Sequence, residues 1–123
     1  MPNRRHALGE RAEAAVATWL TTRGWRVVAR RWRCAEGELD IVAYDPARIL
    51  VAVEVKLRQT GRAGVALESL DRHRLRRLRS GLGRFVADAQ MASPNGLRID
   101  LVAVRAAGAG QWLLTHHPGI DAW

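Results

Sequence analysis

The sequence predicts an α/β domain whose mixed sheet is flanked by helices, in the order α-β-β-β-α-β-β. Two stretches with apolar residues at helical spacing, residues 6–23 and about 65–92, carry the helices. Five short runs rich in Val, Ile and Leu, bounded by turn residues, carry the strands. A length of 123 residues is enough for one core and too short for two.

In the first helix Leu8, Ala12, Ala15, Val16, Trp19 and Leu20 fall on one face, and Gly24 ends it. Residues 25–32 form a first strand, followed by a turn around Cys34–Gly37. Residues 38–44 form the second strand, Asp45-Pro46 turns the chain, and residues 49–57 form the third. The first half of that strand is apolar on both faces, as expected in the middle of a sheet. A polar, glycine-bearing loop at 59–64 leads into the second helix, from about Val65 to Ala92, loosened near Gly81 and Gly83. Residues 97–104 and 111–116 are the last two strands. No repeat, low-complexity tract or linker interrupts the chain, so residues 1–123 read as one domain.

Twenty basic residues against twelve acidic ones leave a net charge of +8, while a hydrophobic content of 48% argues against a disordered basic tail. A folded domain this basic is expected to meet an anion, and nucleic acid is the commonest one. Cys34 is the single cysteine, which excludes an internal disulfide and a cysteine-based zinc site. No apolar run approaches the roughly 18 residues of a membrane span, and Met1–Ala12 lacks the apolar core of a signal peptide. A cytoplasmic protein without membrane contact is expected.

The chemistry lies in two neighbouring strands carrying Glu38-Leu39-Asp40 and Glu54-Val55-Lys56. Strand alternation puts Glu38 and Asp40 on one face, and Glu54 and Lys56 on one face. If the strands pair through the Asp45-Pro46 turn, Asp40 meets Glu54 with Lys56 alongside. Two such carboxylates repel unless a cation sits between them, and hard oxygen donors suit Mg²⁺ or Mn²⁺. Lys56 would then hold or help deprotonate an attacking water, or offset charge on a phosphate. An E-x-K at a strand end is, by itself, an ordinary ion pair. Two features favour a site here. The carboxylates interrupt otherwise apolar strands, where an unneeded charge is costly. Lys56 is also the only lysine among twenty basic residues, so a compact ammonium replaces the usual fork at this one position.

These motifs resemble the YraN-type family, small bacterial proteins grouped with the restriction-endonuclease-like PD-(D/E)XK nucleases. The resemblance runs from Gly9 and Glu13 in LGERAEAAVATWLTTRG through GELDIVAYD (37–45) and VAVEVKLR (51–58). It continues through the basic helix 69–78 and LRIDLVAV (97–104) to IDAW (120–123). It implies a restriction-endonuclease-like αβββαβ core with a metal on Asp40 and Glu54. It also implies a catalytic or substrate-orienting role for Lys56 and a supporting carboxylate from the first helix. Counting back from Leu20 puts that carboxylate on Glu13, with Ala12 where the family often has glycine. Helix geometry agrees, because Glu13 flanks the apolar stripe while Glu10 lies nearly opposite and reads as a solvated charge.

The second helix carries Arg72, Arg74, Arg76 and Arg77, together with His73, Arg79 and Arg84. Beside a phosphodiester site this run reads as a phosphate-tracking surface. The family typically has lysine where Arg74 stands. Arg98 and Asp100 share a strand face and read as structural support. His116 and His117 are strand neighbours that point to opposite faces, which argues against a shared metal. The five tryptophans read mostly as core, with Trp32 or Trp112 the ones that could stack on unpaired bases, and Cys34 reads as incidental. The expected protein is a Mg²⁺- or Mn²⁺-dependent nuclease that hydrolyses phosphodiesters in DNA. Branched DNA and a homodimer follow by analogy with resolvases of the same fold. The alternatives are a nucleic-acid-binding protein on a nuclease fold with weak or lost catalysis, and a basic scaffold protein.

Overall fold

The computed structural model describes residues 4–58, 70–89 and 94–121. The elements are α1 (Arg4–Thr22), β1 (Arg26–Cys34), β2 (Gly37–Tyr44), β3 (Ile49–Leu57), α2 (Arg72–Ala89), β4 (Gly96–Ala106) and β5 (Trp112–His117). This is the order read from the sequence. The five strands form one sheet in the order β1-β2-β3-β4-β5. Only β3 and β4 run parallel, because α2 carries the chain across between them. The other neighbours are antiparallel.

Both faces of the sheet are covered, which explains the apolar run in β3. On one face Ala12, Val16 and Leu20 of α1 pack on Ile41, Val51, Val53 and Val102. On the other, Leu78, Leu82 and Phe85 of α2 pack on Val42, Leu50, Ala52 and Ile99. Each fully buried Val or Leu contributes roughly 1.5–3 kcal/mol, so docking rather than helix propensity holds these helices.

α1 stops at Gly24, whose φ of 88° suits glycine. The Trp25 N–H bonds the Leu20 carbonyl at 3.0 Å and the Gly24 N–H bonds that of Thr21 at 3.1 Å, closing the end with a Schellman motif.

Most boundaries shift by a residue or two. β1 runs on to Cys34, because the hairpin to β2 closes with Cys34 opposite Gly37 and only Ala35 and Glu36 between them. α2 begins at Arg72, where the Asp71 carboxylate caps it by accepting the Arg74 N–H at 2.8 Å. The expected start at Val65 and end at Ala92 lie outside the described residues. The expected loosening at Gly81 and Gly83 is absent, and the helix passes through both. Gly81 is there for proximity. A Cβ on it would lie 3.2 Å from Leu39 Cδ2 and 3.8 Å from Cys34 Sγ, so the missing side chain lets α2 settle on the β1–β2 hairpin.

Candidate active site

β2 and β3 pair from Tyr44–Leu50 to Ile41–Val53 and then part. The break coincides with a roll in β2. Ile41 faces α1, yet Leu39, two residues away, packs in the α2-side core. Strict alternation would put both on one face. Asp40 sits at the roll, and its side chain enters the gap between the strands. Its Oδ2 accepts the Val55 N–H at 2.9 Å, a donor left over where the ladder ends.

Glu54 comes to the same gap from β3 and is 2% exposed. Burial, the hydrogen bond that protonated Asp40 donates to the Glu54 carboxylate and the Glu54 charge together push the Asp40 carboxyl up to about 8. The structure therefore brings together the two carboxylates expected to hold a metal. Arg74, from the first turn of α2, meets Glu54 as well. Its Nε and Nη2 reach Glu54 Oε2 at 2.9 and 2.8 Å.

On the α1 side the gap opens into a cleft of about 300 Å³, lined by Glu10, Glu13, Arg31, Glu38 and Asp40 among others. Glu13 is mostly buried. Burial raises its carboxyl above the ordinary value, against the opposing pull of Arg31 and Arg30. Arg31 Nε lies 3.3 Å and Arg30 Nη2 3.6 Å from Glu13 Oε1. Val55 and Leu57 point to this face, so Lys56 points to the other, alongside Glu54. Among the described residues Lys56 makes no hydrogen bond or ion pair. The centre is thus reached from two sides: through Asp40 and Glu13 from the cleft, and through Glu54, Lys56 and Arg74 from the α2 face.

Residues 12–104 match the uncharacterised protein family UPF0102. The chain belongs to the UPF0102 family. A UPF0102 protein of Kineococcus radiotolerans is 37% identical over 115 residues, covering 94% of this chain and 93% of its own length. One from Arthrobacter is 39% identical over 113 residues, with 92% and 94% covered. One from Beutenbergia cavernae is 40% identical over 114 residues, with 93% and 95% covered. The resemblance to YraN-type proteins, read from the motifs, is borne out by this membership. Among the described residues of this UPF0102 chain, no helix is long and apolar enough to cross a membrane.

The α2 arginines divide into two groups. Arg72 and Arg76 are exposed and unpaired among the described residues. Arg74 is held by Glu54, and Arg77 Nε donates to the Glu36 carbonyl at 2.8 Å. Trp32 packs edge-on against Phe85 at 5.2 Å, and Trp112 packs against the α1-side core. His116 Nε2 lies 2.8 Å from Asp100, whose carboxylate also takes Arg98 Nε at 2.7 Å and the Gly119 N–H at 3.0 Å. Burial works to raise Asp100, but His116 and Arg98 outweigh it and hold the group below the usual carboxylate range. Arg98 Nη1 continues to Asp45 at 2.9 Å, and Asp45 Oδ1 closes the β2–β3 turn on the Ala47 and Ile49 N–H groups. This network holds the end of the sheet away from the cleft, a structural role for Arg98 and Asp100.

Two site residues were missed in the UPF0102 sequence. Glu10, read as a solvated charge, keeps a side chain 40% exposed and also carries surface ion pairs, with Arg31 Nη1 at 2.7 Å and His6 at 3.0 Å. Helix phase placed it away from the core correctly, and the long Arg31 side chain of β1 reaches it there. Arg31, at a φ of 50°, faces Asp40 across the hairpin between the pairs Arg30–Ile41 and Trp32–Leu39. A hairpin register counted out from the 34–37 turn is the signal that finds it.

Proposed function

We propose that this UPF0102 protein is a metal-dependent nuclease that hydrolyses phosphodiester bonds in DNA. The observation that carries the reading is the Asp40–Glu54 pair, two carboxylates forced together where β2 and β3 part, beside an open cleft. The Asp40 carboxyl, pushed up by burial and by the neighbouring Glu54, marks an excess of negative charge that a cation would relieve. Among the described residues no three His, Cys, Asp or Glu side chains cluster as metal ligands. Two carboxylates with water and substrate phosphate are what Mg²⁺ or Mn²⁺ commonly accepts, so the donor set fits. Such an ion, when bound, would withdraw charge from the phosphoryl oxygens and make water a better nucleophile.

The chain's own residues supply the rest. Asp40 and Glu54 hold the ion. Lys56, on the Glu54 face, positions the attacking water or takes charge building on the phosphate. Glu13, across the cleft, orients groups near Asp40. Arg72, Arg76 and Arg77 carry the nucleic-acid backbone. Hydrolysis adds the water oxygen to phosphorus, breaks the bond to one deoxyribose oxygen and returns a proton to that oxygen. Branched DNA, a homodimeric assembly and a cytoplasmic location complete the proposal, the first two by fold-level analogy.

An Mn²⁺-supplemented cleavage assay over linear, single-stranded and branched DNA and RNA tests it. Cleavage should need the metal and favour branched DNA. One observation favours a second reading, a binding protein with lost catalysis: Arg74 already neutralises Glu54. Tight DNA binding with no cleavage of any substrate at millimolar Mn²⁺ would select that reading.

The basic face has its own test. Arg72→Gln with Arg76→Gln should weaken binding about equally for unrelated DNA sequences. It should also flatten the slope of log affinity against log salt by roughly 0.9 for each lost phosphate contact. An unchanged slope, measured by fluorescence anisotropy, would leave α2 as a solvated face.

A further inference from the structure

Arg74 stands apart from its neighbours on α2. Its guanidinium points inward, and both of its short contacts fall on one oxygen, Oε2, of a carboxylate that is 2% exposed. Its side chain remains 30% exposed. It therefore sits on the boundary between the buried centre and the basic surface. Arg77 comes to the same place: a Cβ on Gly37 would lie 3.1 Å from Arg77 Nη2 and 3.8 Å from Arg74 Nη1. Exposed Arg72 and Arg76 lie within two residues on the same helix.

A cation arriving at Glu54 meets a guanidinium already bonded to one of the two carboxylate oxygens. Either it shares the carboxylate with a like charge close by, or Arg74 leaves. Leaving a buried carboxylate is costly unless the guanidinium finds an equal partner. A backbone phosphate is such a partner, because it accepts paired N–H donors in the geometry a carboxylate does.

We propose that Arg74 couples the two ligands of this site, holding Glu54 while the protein is free and passing to a backbone phosphate when nucleic acid binds, so that nucleic acid raises metal affinity. This rests on the metal-dependent nuclease reading. Arg74 is a positioning residue in it, acting on Glu54 and on phosphate rather than on the reacting atoms. Linkage makes the effect reciprocal: metal must raise affinity for the duplex by the same factor.

The test is Mn²⁺ binding, read by electron paramagnetic resonance, with and without a phosphorothioate DNA duplex that resists hydrolysis. The wild-type protein should bind Mn²⁺ about tenfold more tightly with the duplex, within the range usual for two coupled sites. Arg74→Gln should bind Mn²⁺ more tightly than wild type without DNA, and should gain little from adding it. Arg74→Lys, which keeps a cation but cannot form the fork, should retain part of the coupling. Wild-type Mn²⁺ affinity that ignores the duplex overturns the coupling whatever the variants do. Equal coupling in wild type and a folded Arg74→Gln removes Arg74 from it while sparing the nuclease reading. Absence of any Mn²⁺ binding that Asp40→Asn abolishes would sink both.

Discussion

Asp40→Asn should abolish Mn²⁺ binding and cleavage while making the free protein more stable. In the folded chain the Asp40 carboxyl is raised from 3.8 to about 8, by burial first and by Glu54 next. An acid whose folded pKa lies above its unfolded one binds more protons folded than unfolded. Stability therefore falls as pH climbs from about 4 to about 8. Asparagine carries no such penalty and still offers an oxygen to the Val55 N–H. At pH 7 this gain should lift the melting temperature by several degrees. Mn²⁺ binding should fall below detection with one of its two carboxylate ligands gone. In the wild type Mn²⁺ affinity should rise about tenfold per pH unit up to about pH 8 and then level, because proton and cation compete for one carboxyl. Thermal unfolding and Mn²⁺ titration across pH 5–9 decide the matter. A lower melting temperature for Asp40→Asn at pH 7 would show Asp40 ionised in the free protein and remove the argument for an excess of charge.

Lys56→Ala should slow single-turnover cleavage by roughly 10²–10⁴-fold, the range for a lost acid–base group, while leaving Mn²⁺ bound. Lys56 projects from the face of β3 that presents Glu54, about 7 Å further along by strand geometry. A phosphate drawn to the centre from the α2 side would meet its ammonium. Lys56→Arg keeps the charge but exchanges a compact, rotatable donor for a wide planar fork. It should hold most of the DNA affinity and lose rate. Measured separately, rate and affinity distinguish chemistry from binding. Wild-type turnover by both variants would leave the two carboxylates and their metal as the whole active site.

Much of the fold was legible because the signals were local. β3 shows an apolar run between turn residues, and its span of 49–57 is the one observed. The meeting of Asp40 and Glu54 was legible too, since a short turn between paired strands brings positions equidistant from it into register. The manner of their meeting was not. Period-two reading carried straight through residues 38–44, and nothing in that run marks the roll at Asp40, which arises where the β2–β3 ladder ends. The partners Arg74 and Arg31 were hidden for a related reason. Each reaches its carboxylate from an element far along the chain, 20 residues away for Arg74–Glu54 and 18 for Arg31–Glu13. A run of arginines looks the same in sequence whether a member faces water or a buried glutamate.

The two-residue turn at Ala35 and Glu36 adjoins the centre and constrains it. Surface turns are ordinarily the places where a chain tolerates gain or loss of a residue. Here the turn length sets which residues face each other along β1 and β2, and so puts Arg31 opposite Asp40. One residue more or fewer would slide the hairpin by a step, and a one-step slide sends side chains to the other face. Because β3 also holds β2 in register, the slide falls on β1, and Arg31 would leave its place opposite Asp40. Among UPF0102 chains that keep this centre, insertions and deletions should therefore avoid this turn, exposed though it is, and collect in connections whose length sets no register.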